Sequence, residues 1–229
     1  MNDRSGRRPR QGPDAGSLAV RQMSPGELGA TCQVLGLAFA DNPSTLANVH
    51  GDRDKARRTT ERAVRVVKLR SRYSHVLVAE QEGRLAGVLN AVQWPHCQLR
   101  AWEKFKTAPT MIAVMGSALP RAFAMMNARA KHDPREAHWH IGPVGVHPGH
   151  QGRGIGKALL GSFLYMADEQ GCPAFLETDV DKNVALYQKF SFMVIAQQDI
   201  IGINTRFMWR APKRHQAPPA ARYELRQRS

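Results

Sequence analysis

The segment Gln151-Gly152-Arg153-Gly154-Ile155-Gly156-Lys157 carries the most direct chemical information in the chain. An apolar, strand-like run at 141–146 precedes it. A helix-period run follows, with Ile155, Leu159, Phe163 and Met166 on one stripe. Strand, glycine-rich turn and helix start, in that order, build an anion site. Glycine lets the main chain come close to an anion and adopt left-handed φ values. The unpaired amides of the first helical turn then point at the anion, and the helix dipole adds to the attraction.

Spacing separates the phosphate loops that compete for this segment. The P-loop requires G-x-x-x-x-G-K-[ST]. Gly156-Lys157 fits its end, but Ala158 replaces the magnesium-binding hydroxyl and Gln151 stands at the first glycine position. The dinucleotide fingerprint G-x-G-x-x-G fails too, with Lys157 or Leu159 at its last position. What remains reads Q-x-x-G-x-G. This hexad resembles the acyl-CoA signature of the GNAT superfamily of N-acetyltransferases. Ala174-Phe175-Leu176-Glu177-Thr178-Asp179 resembles the next strand of that fold. Asn183-Val184-Ala185-Leu186-Tyr187-Gln188-Lys189-Phe190-Ser191-Phe192 is similar to the family's second motif, a short helix opened by an asparagine and a tyrosine. Ser191 departs from the usual glycine, which bears on a helix C-cap rather than on chemistry. Val144-Gly145-Val146-His147-Pro148 together with Phe175-Leu176-Glu177-Thr178 looks most like the puromycin N-acetyltransferase-type branch. The likeness spans roughly residues 18–210, and its specific residues fall between His140 and Phe192.

The resemblance implies an α/β (α+β) fold: a mixed central sheet, splayed between two strands and flanked by helices. It implies acetyl-CoA as co-substrate, no metal, and direct transfer of acetyl to a primary amine. In that reading the amides of Gln151, Gly152, Arg153, Gly154, Ile155 and Gly156 cradle the diphosphate. Arg153 and Lys157 add charge or simply face water. The edge of Val144, Gly145 and Val146 pairs with the pantetheine arm as an added strand would. Gly145 is expected to mark a bulge that opens the slot and frees an amide for the thioester oxygen. Asn183 holds a pantetheine amide, and Tyr187, four residues on and on the same helical face, reaches the leaving thiolate as an acid.

The base stays open between Glu177, His140 and water. Glu177 lies on the strand that should flank the slot. His138 and His140 alternate with Trp139, so both point to one face, and histidine titrates near neutrality. Asp179 reads as a loop residue and Asp181 as a helix cap. No cysteine falls among the motifs, so no acyl-enzyme is expected.

Composition narrows the classes further. The chain has 229 residues, 42% hydrophobic, which suits one domain with tails. The expected division is a disordered basic arm at 1–16, a domain at 17–210 and a basic disordered tail at 211–229. No run approaches a membrane span, and the opening residues lack a signal-peptide core, so a cytosolic protein is expected. Cys32, Cys97 and Cys172 match no metal or disulfide spacing and read as ordinary reduced residues. The formal charge of +14 favours capture of anionic acetyl-CoA, but much of it sits in the two tails. A nucleic-acid partner is not expected. The acceptor is expected to be a small-molecule amine. A peptide or protein amine is the alternative enzyme reading, and a CoA-binding module without catalysis is the rival class.

These residues need a scaffold to position them. Residues 18–23 read as a first strand. Ser24-Pro25-Gly26-Glu27 reads as a helix start running to Phe39 and stopping before Asp41-Asn42-Pro43. A second helix fits 54–70, with Ala63, Val66, Val67 and Arg70 on one face. Residues 75–80 and 84–92 form a hairpin about Glu82-Gly83. Residues 94–133 form a long helical insertion beside the acceptor site, punctuated by Pro109 and Pro120. Its Met111, Met115, Met125 and Met126 read as core filling or as an adaptable pocket. Trp94, Trp102 and Phe105 are candidates for flat pocket walls.

Overall fold

The computed structural model describes residues 18–69, 72–98 and 101–213. Seven strands form one sheet: β1 Ala19–Gln22, β2 Ser74–Gln81, β3 Arg84–Gln93, β4 Trp139–Val146, β5 Ala174–Thr178, β6 Met193–Ile200 and β7 Ile203–Arg210. Their order is β1-β2-β3-β4-β5-β7-β6. Among the described strands only β4 and β5 run parallel. A parallel pair needs a crossover, and α6, Ile155–Glu169, supplies it. The mixed sheet with flanking helices is the architecture expected from the sequence.

The strand alternation sorts side chains to two faces. On one face α6 buries Ile155, Leu159, Leu160, Phe163, Leu164 and Ala167 against β2, β3, β4 and β5, with Met166 at the border. Each large apolar side chain buried this way contributes about 1.5–3 kcal/mol. Gly87 of β3 permits the close approach: a Cβ there would lie 2.6 Å from Ile155 Cγ2. The other face carries α1, Leu28–Ala38, which buries Cys32, Val34 and Leu35 over Val76, Val78 and Val88. Glu27 starts it as expected, its carboxylate accepting from the Ser24 amide at 2.8 Å.

Several local expectations need correction. Asn42-Pro43 stops one helix but also starts another, α2, Pro43–Asn48: the Asn42 side chain accepts from the Thr45 amide, and Pro43 takes the first turn. The second expected helix is α3, Arg53–Ala63, and it continues as a π turn, Val64–Lys68. Among the described side chains of this segment Ala56, Val64 and Leu69 are buried and Ala63 and Val66 half-buried, while the Val67 side chain lies outside the described residues. Arg70, like the basic arm at 1–16 and the tail beyond residue 213, lies outside the described residues. The hairpin turn falls on Glu82-Gly83 as expected, with φ of 55° and 71°. The insertion forms two helices, α4, Ala101–Met115, and α5, Leu119–His132. Pro109 sits inside α4 without ending it, and Pro120 occupies the first turn of α5. Of the four methionines named there, Met125 is buried, against Phe175 and Phe207. Phe105 is 86% exposed and Trp94 37%, so neither is a fully enclosed pocket wall.

Strand β7 is tied to α6 by a buried ion pair. Arg210 is 2% exposed and binds both Asp168 oxygens at 2.7 Å, while its Nε donates to the Phe190 carbonyl at 2.9 Å. Losing one partner of such a pair costs about 3–5 kcal/mol, because the other charge stays buried alone.

Candidate active site

Strands β4 and β5 pair only at Trp139↔Ala174 and His140↔Phe175. Beyond His140 they part, and the edge of β4 lies open. The bulge that accompanies this is not at Gly145. Between Leu89↔Val144 and Ala91↔Ile141, β4 takes one more residue than β3, which places the extra residue at Gly142-Pro143. Pro143 has no N–H to give a ladder, and Asn90 Nδ2 donates to the Gly142 carbonyl at 2.9 Å. Gly145 serves packing instead: a Cβ would lie 2.9 Å from both Leu35 Cδ2 and Ala38 Cβ of α1.

The His147 amide donates to the Ala86 carbonyl on the β3 side. By alternation, the peptide groups of Val146 and Val144 face the opposite way, into the opening. The loop that follows continues the same surface. Gly152 and Gly154 take φ of 80° and 81°, and open space surrounds the point where either would carry a Cβ. Gly154 caps α6 without a side-chain bond, and no acidic residue enters the first turn. The amides of Ile155, Gly156 and Lys157 are therefore left for an outside acceptor. Gln151 turns back, its Nε2 3.3 Å from the Val146 carbonyl. Lys157 is exposed, and Arg153 lies 3.5 Å from Glu82.

Helix α7, Asp181–Gln188, follows β5. Its N-cap is Val180; Asp181 is the first helical residue and pairs with Arg206, so the expected cap shifts by one. Asp179 accepts from Asn42 Nδ2 at 3.0 Å and from the Ser44 amide at 2.9 Å, which fixes the loop to α2. Asn183 is half-buried, one turn before Tyr187. Tyr187 belongs to the core beneath α6 and meets Phe192 edge-on at 5.9 Å. Its hydroxyl has no hydrogen-bond partner among the described residues. Burial raises the phenol pKa well above the usual tyrosine range, and the charges of Glu177 and Asp179 add to this.

On the opposite face of the sheet, Glu177 and His140 meet. His140 Nε2 lies 2.9 Å from Glu177 Oε2, and Arg129 of α5 lies 3.6 Å from the other carboxylate oxygen. Behind His140 stand Asp133, His138 and Cys97. Asp133 Oδ1 is 3.1 Å from His140 Nδ1 and 3.3 Å from His138 Nε2. Cys97 Sγ and Gln98 Nε2 reach Asp133 Oδ2 at 3.4 and 2.9 Å. Burial works against charge on both imidazoles, but the facing acids outweigh it. His138 is raised to about 9, beside Asp133, and His140 is raised as well, mainly by Glu177 and then Asp133. Burial pushes the Asp133 carboxyl up, yet the two histidines hold it far below the usual range. The Cys97 thiol is lowered for the same reason, with burial again opposing. Nothing in the sequence marked Arg129, Asp133 or Cys97 as site residues, because they come from an insertion with no motif.

Residues 44–192 match the acetyltransferase (GNAT) family. The chain belongs to that family. Solved structures agree in fold. An acetyltransferase related to histone acetyltransferase HPA2 from Corynebacterium glutamicum is 20% identical over 88% of this chain and 99% of its own, with a TM-score of 0.63. The Drosophila melanogaster polyamine N-acetyltransferase is 15% identical over 85% of this chain and 100% of its own, with a TM-score of 0.55. The Salmonella typhimurium protein yncA, solved with its cofactor acetyl-CoA, is 19% identical over 89% of this chain and 99% of its own, with a TM-score of 0.52.

GNAT enzymes use acetyl-CoA as co-substrate, and this member offers an unpaired strand edge and free helix-start amides. The open β4 edge at Val144 and Val146 suits an amide-bearing arm, and the uncapped, acid-free start of α6 suits a diphosphate. No helix among the described residues is long and apolar enough to cross a membrane.

Proposed function

We propose that this GNAT enzyme moves an acetyl group by direct transfer to the primary amine of a small molecule, through the opening between β4 and β5. One observation carries the reading: the opening has Tyr187 on one face of the sheet and the Glu177–His140 pair on the other. Acetyl-CoA would supply an acyl carbon activated as a thioester. Val144 and Val146 hold its pantetheine arm through their peptide groups, Asn183 adds a side-chain contact, and the amides from Gln151 to Gly156 take the diphosphate, with Arg153 and Lys157 adding charge. Tyr187, neutral and buried, donates a hydrogen bond or a proton to the departing sulfur. On the far face Glu177 accepts the amine proton, and His140 holds that carboxylate in place.

The acceptor therefore enters beneath α5, where Arg129 and Met125 already lie over β5. The likeness to the puromycin N-acetyltransferase-type branch makes an aminonucleoside the first compound to try, and a cytosolic setting supplies the co-substrate. The test is thiol release from acetyl-CoA by the purified chain over a panel of aminonucleosides, aromatic amines, polyamines and peptide amines. Acceptor-dependent release with a small amine supports the reading. Release confined to peptides moves the acceptor class, and acetyl-CoA binding without any turnover reduces the chain to a binding module.

A further inference from the structure

Four side chains from three segments, His140 among them, converge on one point. Cys97 follows β3, Asp133 ends α5, and His138 and His140 stand at the start of β4. One ligand atom from each lies within 4.8 Å of every other. Asp133 is central, with contacts of 3.1 and 3.3 Å from Oδ1 to the two imidazoles and 3.4 Å from Oδ2 to the thiol. Four ligands at bond lengths of about 2.0–2.3 Å around a tetrahedral ion are separated by roughly 3.3–3.8 Å. The three Asp133 contacts fall near that range, and the other ligand atoms, within 4.8 Å of one another, need only a modest contraction to reach it.

The outer hydrogen bonds decide where the imidazole lone pairs point. His138 Nδ1 lies 2.8 Å from the Glu136 carbonyl, which only accepts, so Nδ1 carries a proton. His140 Nε2 faces the Glu177 carboxylate at 2.9 Å, which puts its proton there too. Each neutral ring then aims a bare nitrogen at the Asp133 carboxylate. His138 is fully buried, and its Nε2 has no hydrogen-bond partner among the described residues. Positive charge is needed between these groups: a further proton on each ring, or one dication. Metal-binding histidines donate their second N–H to a carbonyl or carboxylate, the arrangement that Glu136 and Glu177 provide. A thiolate, two imidazoles and one carboxylate form a donor set suited to zinc.

We propose that Cys97, Asp133, His138 and His140 form a binding site for a divalent transition metal of the zinc type. The ion ties the segment after β3 and the end of α5 to β4, and turns His140 so that its Nε2–H faces Glu177. The proposal does not rest on the acetyl-transfer reading, and its test reads metal rather than turnover.

Full-length protein is stripped with a chelator, then titrated with Zn2+ and with Co2+, and bound metal is counted by mass spectrometry. One ion per chain is expected. Zinc should raise the melting temperature, and the cobalt form should show a thiolate-to-metal band in the near ultraviolet. Cys97→Ser should remove that band, and His138→Gln should weaken binding at least tenfold. A chain with intact circular dichroism that retains no metal overturns the site and leaves two protonated histidines in its place. A thiolate band that survives Cys97→Ser also overturns it, by moving the ion to another cysteine. If Cys97→Ser does not fold, alkylation of the native chain decides. Zinc must then slow modification of Cys97 selectively, and unchanged labelling rejects the proposal.

Discussion

Glu177 accepts a 2.9 Å hydrogen bond from His140 Nε2, and this bond joins β5 to β4 just where the strands separate. Replacing the charge while keeping the shape tests whether the carboxylate takes the amine proton. Glu177→Gln should lower kcat by roughly 10²–10⁴-fold, the usual worth of a positioned base. KM for acetyl-CoA should barely move, since Glu177 lies across the sheet from the α6 loop. Steady-state kinetics with the best acceptor reads both constants. An unchanged kcat would hand the proton to water.

Tyr187 should act as a donor that never ionises in the working range. Tyr187→Phe is expected to reduce kcat by about 10²-fold or more while calorimetry shows acetyl-CoA affinity nearly unchanged. Equal loss of both, or loss of neither, rejects the role. The buried phenol also makes a titration prediction. An unfolded tyrosine ionises near pH ~10, whereas Tyr187 in the fold ionises later because burial disfavours its anion. The native chain holds the extra proton above that pH, so Tyr187 costs no stability below it and lowers stability as pH rises past it. The absorbance difference between wild type and Tyr187→Phe should therefore appear above the ordinary tyrosine step. A difference centred on that step contradicts the burial argument.

Gly154 has a left-handed φ of 81° and caps α6 with nothing around its would-be Cβ. If the start of α6 cradles the diphosphate as proposed, Gly154→Asp should abolish acetyl-CoA binding by placing a carboxylate there. Asparagine tolerates left-handed φ and carries no charge, so Gly154→Asn separates repulsion from strain and should bind more tightly than the aspartate variant. Retained affinity in Gly154→Asp, measured by calorimetry, would place the diphosphate elsewhere.

Ser191 is exposed and holds φ of 68° just after α7, where the resemblance to the family's second motif leads one to expect glycine. Left-handed backbone costs a non-glycine residue about 1–2 kcal/mol, and glycine returns about 0.5–1 kcal/mol of that as unfolded-state entropy. Ser191→Gly should therefore raise stability by about 0.5–1 kcal/mol, read as a higher urea midpoint with an unchanged slope. Activity should not change.

The sequence by itself determined whatever is encoded locally. The turn at Gly152 and Gly154 was legible because left-handed backbone admits few residues other than glycine. The hairpin about Glu82-Gly83 and the stripe on α6 were legible because turn chemistry and helical period are short-range. The left-handed cap at Ser191 could be inferred from the motif despite the missing glycine. Tertiary structure alone decided what depends on distant chain segments meeting. It moved the β4 bulge to Gly142-Pro143 and gave Gly145 to the packing of α1, because register is set by the partner strand and by the helix above it. It also put Arg129 beside Glu177, and gathered Cys97 and Asp133 behind His140. No periodicity records those encounters, since each brings together residues from different segments that share only a place in the folded chain.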